Sequence, residues 1–380
     1  MKEITVQELD NLQKDSYILI DIRDEGLRAF GMIPGAVAVD CDTEEELYSR
    51  IDKLPKEKIL ILYCEIGRRT RDLDESLLPA GREYYSLKDG YTGYIRYLTD
   101  DEDNRAEIKL KSEECIRKKF HKQLFTPFAK ACKNYRLIEE GDRIAVCISG
   151  GKDSMLMAKL FQEIQKHRQC NYELVFLVMD PGYRPENRKL IENNAATLGI
   201  PITIFETGIF DAVDTIEKSP CYICARMRRG YLYSKAKELG CNKIALGHHY
   251  DDVIETILMG MLHGAQIQTM MPKLHSTNFD KMELIRPMYL IRESDICEWR
   301  DYCGLHFLQC ACHFTDTCTT CHEDGTTSSK RLETKKLIAM LKKENPYVES
   351  NIFNSVGNVN VDTVIAYKKH GTRHHFLDDY

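Results

Sequence analysis

The chain has 380 residues, 43% of them hydrophobic and 29% charged, with a formal net charge of −6. At roughly 100–200 residues per core this length serves two or three domains, and the composition excludes a disordered or fibrous chain. The acidic balance excludes a uniformly basic nucleic-acid binder, although positive charge gathered on one face stays compatible with RNA. Met1-Lys2-Glu3 runs straight into mixed polar sequence with no signal-peptide pattern. No apolar run approaches the roughly 18 residues of a membrane span, so a cytoplasmic chain with no membrane contact is expected. Fifteen cysteines are the anomalous count. In that setting paired and spaced Cys point to metal, cluster or catalytic thiols rather than disulfides. Cys147, within Ile144-Ala145-Val146-Cys147-Ile148, is expected to be a small buried hydrophobe, as are Cys41 and Cys241.

Residues 1–99 alternate short β-like runs, Tyr17-Ile18-Leu19-Ile20 and Ile59-Leu60-Ile61-Leu62-Tyr63, with amphipathic helical stretches. That is the pattern of a small parallel α/β domain. The acidic run Asp100-Asp101-Glu102-Asp103-Asn104 predicts a solvated linker, and 108–138 is basic with helical periodicity, so 100–138 connects two domains. From 139 to 309 the order is strand, Gly-rich turn, helix, then strand at 174–179, helix at 185–198 and strand at 201–205. This predicts a second α/β domain with a doubly wound parallel sheet. The segment 310–380 begins Cys-, His- and Thr-rich and turns helical at 330–343.

Tyr63-Cys64-Glu65-Ile66-Gly67-Arg68-Arg69 follows an apolar strand. A Cys at a strand end, in a loop of converging backbone N–H groups, has its thiolate or persulfide stabilised by those dipoles and by a following helix start. Gly67 permits the curl and Arg69 adds positive charge. A phosphatase loop needs Cys, five residues and then Arg; position 70 is Thr, so the Arg comes one residue early. With Asp21-Ile22-Arg23, Met32-Ile33-Pro34-Gly35-Ala36 and Gly90-Tyr91, the segment resembles the rhodanese family, which usually has His where Met32 stands. The resemblance implies a rhodanese-like fold and a persulfide carried on Cys64, loaded by a cysteine desulfurase or another persulfide donor. A rhodanese fold with an idle or regulatory Cys64 is the bland alternative.

Ile148-Ser149-Gly150-Gly151-Lys152-Asp153-Ser154 lies between a β-rich run and the helical stretch 155–164. Two glycines let backbone approach a phosphate, and a following helix N-terminus presents N–H groups and positive dipole. It is not a kinase-type P-loop, which needs Gly-x4-Gly-Lys-Ser/Thr. Six positions match the PP-loop ATP pyrophosphatase signature, whose members adenylate a substrate and release pyrophosphate. That resemblance implies an adenine nucleotide α-hydrolase-like domain binding ATP through Ser149, Gly150, Gly151, Lys152, Asp153 and Ser154, with Asp153 also among the catalytic residues. It implies Asp180, at the end of Val178-Met179-Asp180, near the adenine end of ATP. Gly247-His248-His249-Tyr250-Asp251-Asp252 matches a further family element, in which Asp251 and Asp252 help hold Mg2+.

Pro220-Cys221-Tyr222-Ile223-Cys224 precedes Ala225-Arg226-Met227-Arg228-Arg229-Gly230. A lone Cys-x-x-Cys serves redox, zinc or cluster chemistry, and spacing alone leaves all three open. In this context it resembles the tRNA 2-thiocytidine synthetase family across about 125–312. The resemblance implies a [4Fe-4S] cluster on Cys221, Cys224 and Cys310, with Cys312 a competitor for the third place and a zinc site or disulfide-cycling pair as the other readings. Cys318-Thr319-Thr320-Cys321-His322 departs from the family pattern and could bind zinc together with Cys312 and His313.

Arg226, Arg228 and Arg229, with Arg117, Lys118, Lys119 and Lys122, are candidates to neutralise tRNA phosphates. The expected activity is ATP-dependent tRNA thiolation, by resemblance at cytidine 32: the base is adenylated and sulfur replaces its oxygen. Fusing the sulfur carrier to the ATP enzyme raises the effective concentration of donor. A tRNA lysidine-type ligase needs neither the Cys64 loop nor the cysteine trio. A thiol- or cluster-based redox sensor with a vestigial ATPase is disfavoured by the intact nucleotide loop. Relatives are commonly dimers, which leaves a homodimer open.

Overall fold

The structure, a computed structural model, describes all residues except 29–30, 42, 101, 168–169, 184, 211–219, 308–329 and 379, and leaves the side chains of 25–26, 99–100, 102–104, 186, 220–222 and 224–225 undescribed. The first sheet holds β1 (Lys2–Ile4), β2 (Tyr17–Asp21), β3 (Val37–Ala38), β4 (Ile59–Tyr63) and β5 (Tyr84–Leu87) in the order β1-β5-β4-β2-β3. Every pairing in it is parallel. Its helices are α1 (Val6–Asp10), α2 (Glu25–Arg28), α3 (Glu44–Ile51), α4 (Arg68–Arg71) and α5 (Gly90–Asp100). Leu60, Ile61, Leu62 and Tyr63 of β4 are all fully buried. A parallel strand covered on both faces reads as an unbroken apolar run, which is why this strand was legible without alternation. Thr5 and Glu8 form a reciprocal capping box at α1, satisfying two of the helix's unpaired N–H groups.

Then follow α6 (Glu102–Arg117), a π-helical turn His121–Phe125 and α7 (Thr126–Asn134). The acidic run predicted as a solvated linker is flanked by helix on both sides, α5 ending at Asp100 and α6 beginning at Glu102. The second sheet holds β6 (Arg143–Ile148), β7 (Glu173–Asp180), β8 (Ile202–Glu206), β9 (Lys243–Ala245), β10 (Lys273–His275) and β11 (Glu283–Ile285), in the order β10-β11-β9-β6-β7-β8. Only β10 is antiparallel. Later helices are α8 (Lys152–Gln165), α9 (Pro185–Leu198), α10 (Pro220–Glu238), α11 (Tyr250–Gly264), α12 (Glu293–Cys303), α13 (Lys330–Glu344) and α14 (Val348–Ser355), ending in the hairpin β12 (Ala366–Lys369) and β13 (Thr372–His375). The elements expected at 174–179, 185–198, 201–205 and 330–343 are β7, α9, β8 and α13.

By internal contact Met1–His249 with Pro272–Thr326 forms one compact unit, and Tyr250–Met271 with Thr327–Tyr380 forms another. Within the first, α5 packs on α9, so both sheets belong to one body. Within the second, α11 packs on α13 and α14, and Tyr250 stacks on Phe353 at 4.4 Å. No described helix is long and apolar enough to cross a membrane.

Candidate functional site

In each sheet the strand order reverses at one place. The first sheet runs outward from β2 to β3 and then restarts at β4 on the other side, so the crevice lies beyond Asp21 and Tyr63. The second runs from β6 through β7 to β8 and restarts at β9, so its crevice lies beyond Ile148 and Ala245. Open parallel sheets bind ligands at such reversals because the loops diverge there and leave room. Cys64 follows one of these strand ends and Ser149 the other.

Cys64 is buried, with Sγ 3.7 Å from the Thr70 hydroxyl. Thr70 is itself fixed, its hydroxyl 2.7 Å from that of buried Ser86 and donating to Gly67 O at 3.2 Å. The loop is tied to the start of α5: Tyr91 N–H donates to Cys64 O and Thr92 N–H to Glu65 O, both at 2.9 Å. Gly90 must be glycine, since at φ +56° a Cβ would lie 2.2 Å from Cys64 O and 2.6 Å from Gly67 N. Arg69 reaches away along the strand ends, donating to Ile22 O and Cys41 O at 3.3 Å each and lying 3.6 Å from Cys41 Sγ. Cys41, expected to be buried, is half-buried against this guanidinium; Cys147 and Cys241 are buried as expected.

Asp21 and Arg23 are the buried frame of the loop. Arg23 donates to both Asp21 carboxylate oxygens, Tyr63 OH donates to Asp21 Oδ2 at 2.6 Å, and Arg23 Nη1 pairs with Glu65 at 3.2 Å. The Arg23 guanidinium also lies 3.7 Å over the Tyr91 ring. Tyr91 OH is 3.0 Å from His306 Nδ1, which joins the Cys64 loop to the chain just after α12. Burial, and then the nearby Arg300 charge, hold the His306 imidazolium well below its ordinary range, at about 4. No local signal in the sequence pairs positions 91 and 306.

The nucleotide loop closes on itself. Ser149 N–H donates to Ser154 Oγ at 3.1 Å, and Ser154 Oγ donates to Gly151 O at 3.0 Å. Gly151 opens α8 without a side-chain cap, and the first N–H groups of a helix have no partner within it. Gly150 has φ +87°, and a Cβ there would lie 2.6 Å from Ile191 Cγ1. Lys152 is buried between Asp153 (3.3 Å) and Glu293 (3.2 Å). Burial opposes its charge, but the Asp153 and Glu293 carboxylates outweigh burial and raise the Lys152 ammonium above its ordinary value. Asp153 Oδ1 is buried and accepts no hydrogen bond, with the Lys152 ammonium 3.3 Å away, so it keeps lone pairs for a polar ligand. Glu293, on the first turn of α12, was not singled out; its partner lies 141 positions away.

Asp180 ends β7 and accepts the N–H groups of Gly182 and Tyr183 at 2.9 and 2.7 Å. Around it an open cleft of about 460 Å³ is lined by Asp180, Gly182, Tyr183, Arg188, Glu206 and Thr207. The turn after β9 meets the nucleotide loop: a Cβ on Gly247 would lie 3.3 Å from the Ser154 nitrogen. His248 follows Gly247 in the same turn, and Asp251 and Asp252 stand on the first turn of α11. Asp252 pairs with Arg331 at 2.8 Å, a contact with no counterpart in the motif. Among the described residues no group of three or more His, Cys, Asp or Glu is placed to hold a metal ion.

Pro220 opens α10, which sets Cys221 and Cys224 three positions apart on its first turn. Their side chains, and Cys310, Cys312, Cys318 and Cys321 entirely, lie outside the described residues. Of the predicted RNA contacts, Arg117 pairs with Glu163 and Glu113, Lys118 pairs with Glu114, and Lys119 covers the Tyr302 ring at 3.7 Å.

A family model described as a PP-loop domain matches residues 117–312, and one described as a rhodanese-like domain matches residues 5–97. The chain is 35% identical over 236 residues to the tRNA-cytidine(32) 2-sulfurtransferase of Syntrophotalea carbinolica, covering 60% of this chain and 86% of that one. To the tRNA-cytidine(32) 2-sulfurtransferase of Nitrosospira multiformis it is 32% identical over 276 residues, covering 70% and 88%. Among solved structures it is similar to the U34-tRNA thiolase NcsA from Methanococcus maripaludis with its [4Fe-4S] cluster, at 21% identity, 64% and 78% coverage and a TM-score of 0.48.

Proposed function

The chain belongs to the PP-loop family as a relative of the tRNA-cytidine(32) 2-sulfurtransferases, and on that premise we propose that it uses ATP to thiolate a tRNA base, with cytidine 32 the acceptor and Cys64 the carrier of incoming sulfur. The observation that carries this reading is the pairing, in one compact unit, of a buried thiol and a phosphate-type loop, each at the reversal of a parallel sheet. The rhodanese-like portion adds the means of presenting sulfur.

ATP binds with its phosphates at the α8 start and its adenosine toward Asp180, and Lys152 leaves its carboxylate partners to meet the polyphosphate. Asp251 and Asp252 are the residues that would hold Mg2+, hard oxygen donors suiting that cation. The base carbonyl oxygen attacks the α-phosphorus and pyrophosphate leaves, which turns a poor leaving oxygen into the oxygen of AMP. Sulfur then takes that carbon and AMP departs. The outer sulfur of a persulfide, donated to Cys64 by a cysteine desulfurase or similar carrier, is zero-valent, so its release as sulfide takes two electrons from a thiol reductant. The soft donor set of Cys221 and Cys224 on one helical turn, with Cys310, suits a [4Fe-4S] cluster, which when bound supplies an iron with an open coordination position for sulfide. Zinc on Cys312, Cys318 and Cys321 would be a separate structural site. A cytoplasmic location follows from a tRNA substrate.

Nucleoside mass spectrometry of tRNA from a deletion strain tests this directly. Loss of 2-thiocytidine is the expected result, and an unchanged set of thionucleosides sinks the reading.

A further inference from the structure

We propose that the C-terminal hairpin β12–β13 is a contact surface for the phosphate backbone of the tRNA substrate. The inference rests on the tRNA reading above and adds a surface to it.

Residues 366–375, Ala-Tyr-Lys-Lys-His-Gly-Thr-Arg-His-His, carry three Lys or Arg, three His and no Asp or Glu, in a chain whose acidic residues outnumber its basic ones, 59 to 53. The two strands form a sheet of their own, and a lone hairpin is barely stable in water without something to cover it. The register places Lys368 directly opposite Arg373. Like charges directly opposite in a ladder repel, a disfavoured arrangement unless an anion lies across both. Among the described residues none of Lys368, Lys369 and Arg373 forms an ion pair with a carboxylate. Asp378, just after the hairpin, accepts the His375 N–H at 2.7 Å.

The opposite face carries Lys369 and the pair Tyr367–His374, stacked at 4.9 Å and 16°. A flat aromatic pair beside cations suits a nucleotide, since every base offers a π-face and every linkage a charge. Three unpaired cations on a narrow ribbon match a row of phosphates better than they match another protein surface. Such contacts hold a duplex or loop in register without reading its sequence. Arg117 and Lys118, by contrast, pair with carboxylates of the chain itself.

The test uses the full-length protein and a tRNA transcript with cytidine at position 32, with the dissociation constant measured by fluorescence anisotropy from 50 to 300 mM KCl. Two variants are compared with wild type: Lys368→Gln/Lys369→Gln/Arg373→Gln, and the charge-keeping Lys368→Arg/Lys369→Arg/Arg373→Lys. The neutral variant is expected to bind roughly tenfold or more weakly at 100 mM KCl, with the slope of log K against log salt shallower by about 2, since each phosphate contact contributes roughly 0.7–0.9. The charge-keeping variant is expected to retain both. Wild-type affinity and slope in the neutral variant, or equal loss in both variants, overturns the proposal. So does a change in oligomeric state on sedimentation with tRNA binding intact, which would make the hairpin a contact between copies. Wild-type protein that binds no tRNA at any salt instead overturns the function proposed above.

Discussion

Replacing Gly90 by Ala tests whether the Cys64 loop is built as described. The added Cβ would meet Cys64 O at 2.2 Å, Gly67 N at 2.6 Å and Glu65 C at 3.0 Å, all of them backbone atoms that no rotamer change can move. Left-handed backbone costs Ala about 1–2 kcal/mol, and forced overpacking about 1–3 kcal/mol more. The sum, about 2–5 kcal/mol, falls on the N–H groups around the thiol and on the Tyr91-to-Cys64 hydrogen bond. Gly35 is the control: its φ is +81°, but nothing lies within 4 Å of a Cβ, so Gly35→Ala carries the conformational cost without the collision. Transfer of sulfur from thiosulfate to cyanide, read as thiocyanate, is expected to fall more than tenfold in Gly90→Ala and less than threefold in Gly35→Ala. Urea unfolding should show the larger loss of stability in the same variant. Equal activity and equal midpoints for the two variants would refute the geometry.

Other outcomes follow from named contacts. Lys152→Met removes a buried cation whose charge-assisted contact is worth about 1.5–3 kcal/mol, so ATP affinity by calorimetry should fall roughly 10- to 100-fold; an unchanged affinity would remove Lys152 from the nucleotide site. His306 titrates at about 4 in the folded chain against an ordinary 6.5. The unfolded chain therefore binds its proton first, and stability contributed by neutral His306 is complete above pH 6.5 and drains away as pH falls toward 4. Between pH 7 and 5 that amounts to at most roughly 2 kcal/mol. His306→Gln should show a smaller drop in urea midpoint over that interval, and an identical drop would count against the buried contact with Tyr91. Arg23→Met strands fully buried Asp21 and should destabilise the rhodanese-like portion by about 3–5 kcal/mol. A change under 1 kcal/mol in chemical denaturation would mean that the Tyr63 hydroxyl and the residue-23 backbone N–H satisfy Asp21 without the guanidinium.

The sequence by itself determined the local parts. Unbroken apolar runs announced the buried parallel strands β4 and β7, and glycines at 67, 90, 150 and 151 marked loops that must curl tightly. Motif spacing then placed a thiol in one loop and a nucleotide in the other. These are readable because each depends on residues within one turn or one strand of each other, where propensity, periodicity and backbone freedom act directly. What lay beyond that range was decided by tertiary structure alone. Glu293 became the counter-ion of Lys152, Tyr91 met His306, Arg331 took Asp252, and Arg117 met Glu163. The acidic stretch near residue 101 read as a solvated linker, and it lies where α5 ends and α6 begins. Partners far apart in the chain leave no periodic trace. Which charge neutralises which follows only from the order in which the strands pack.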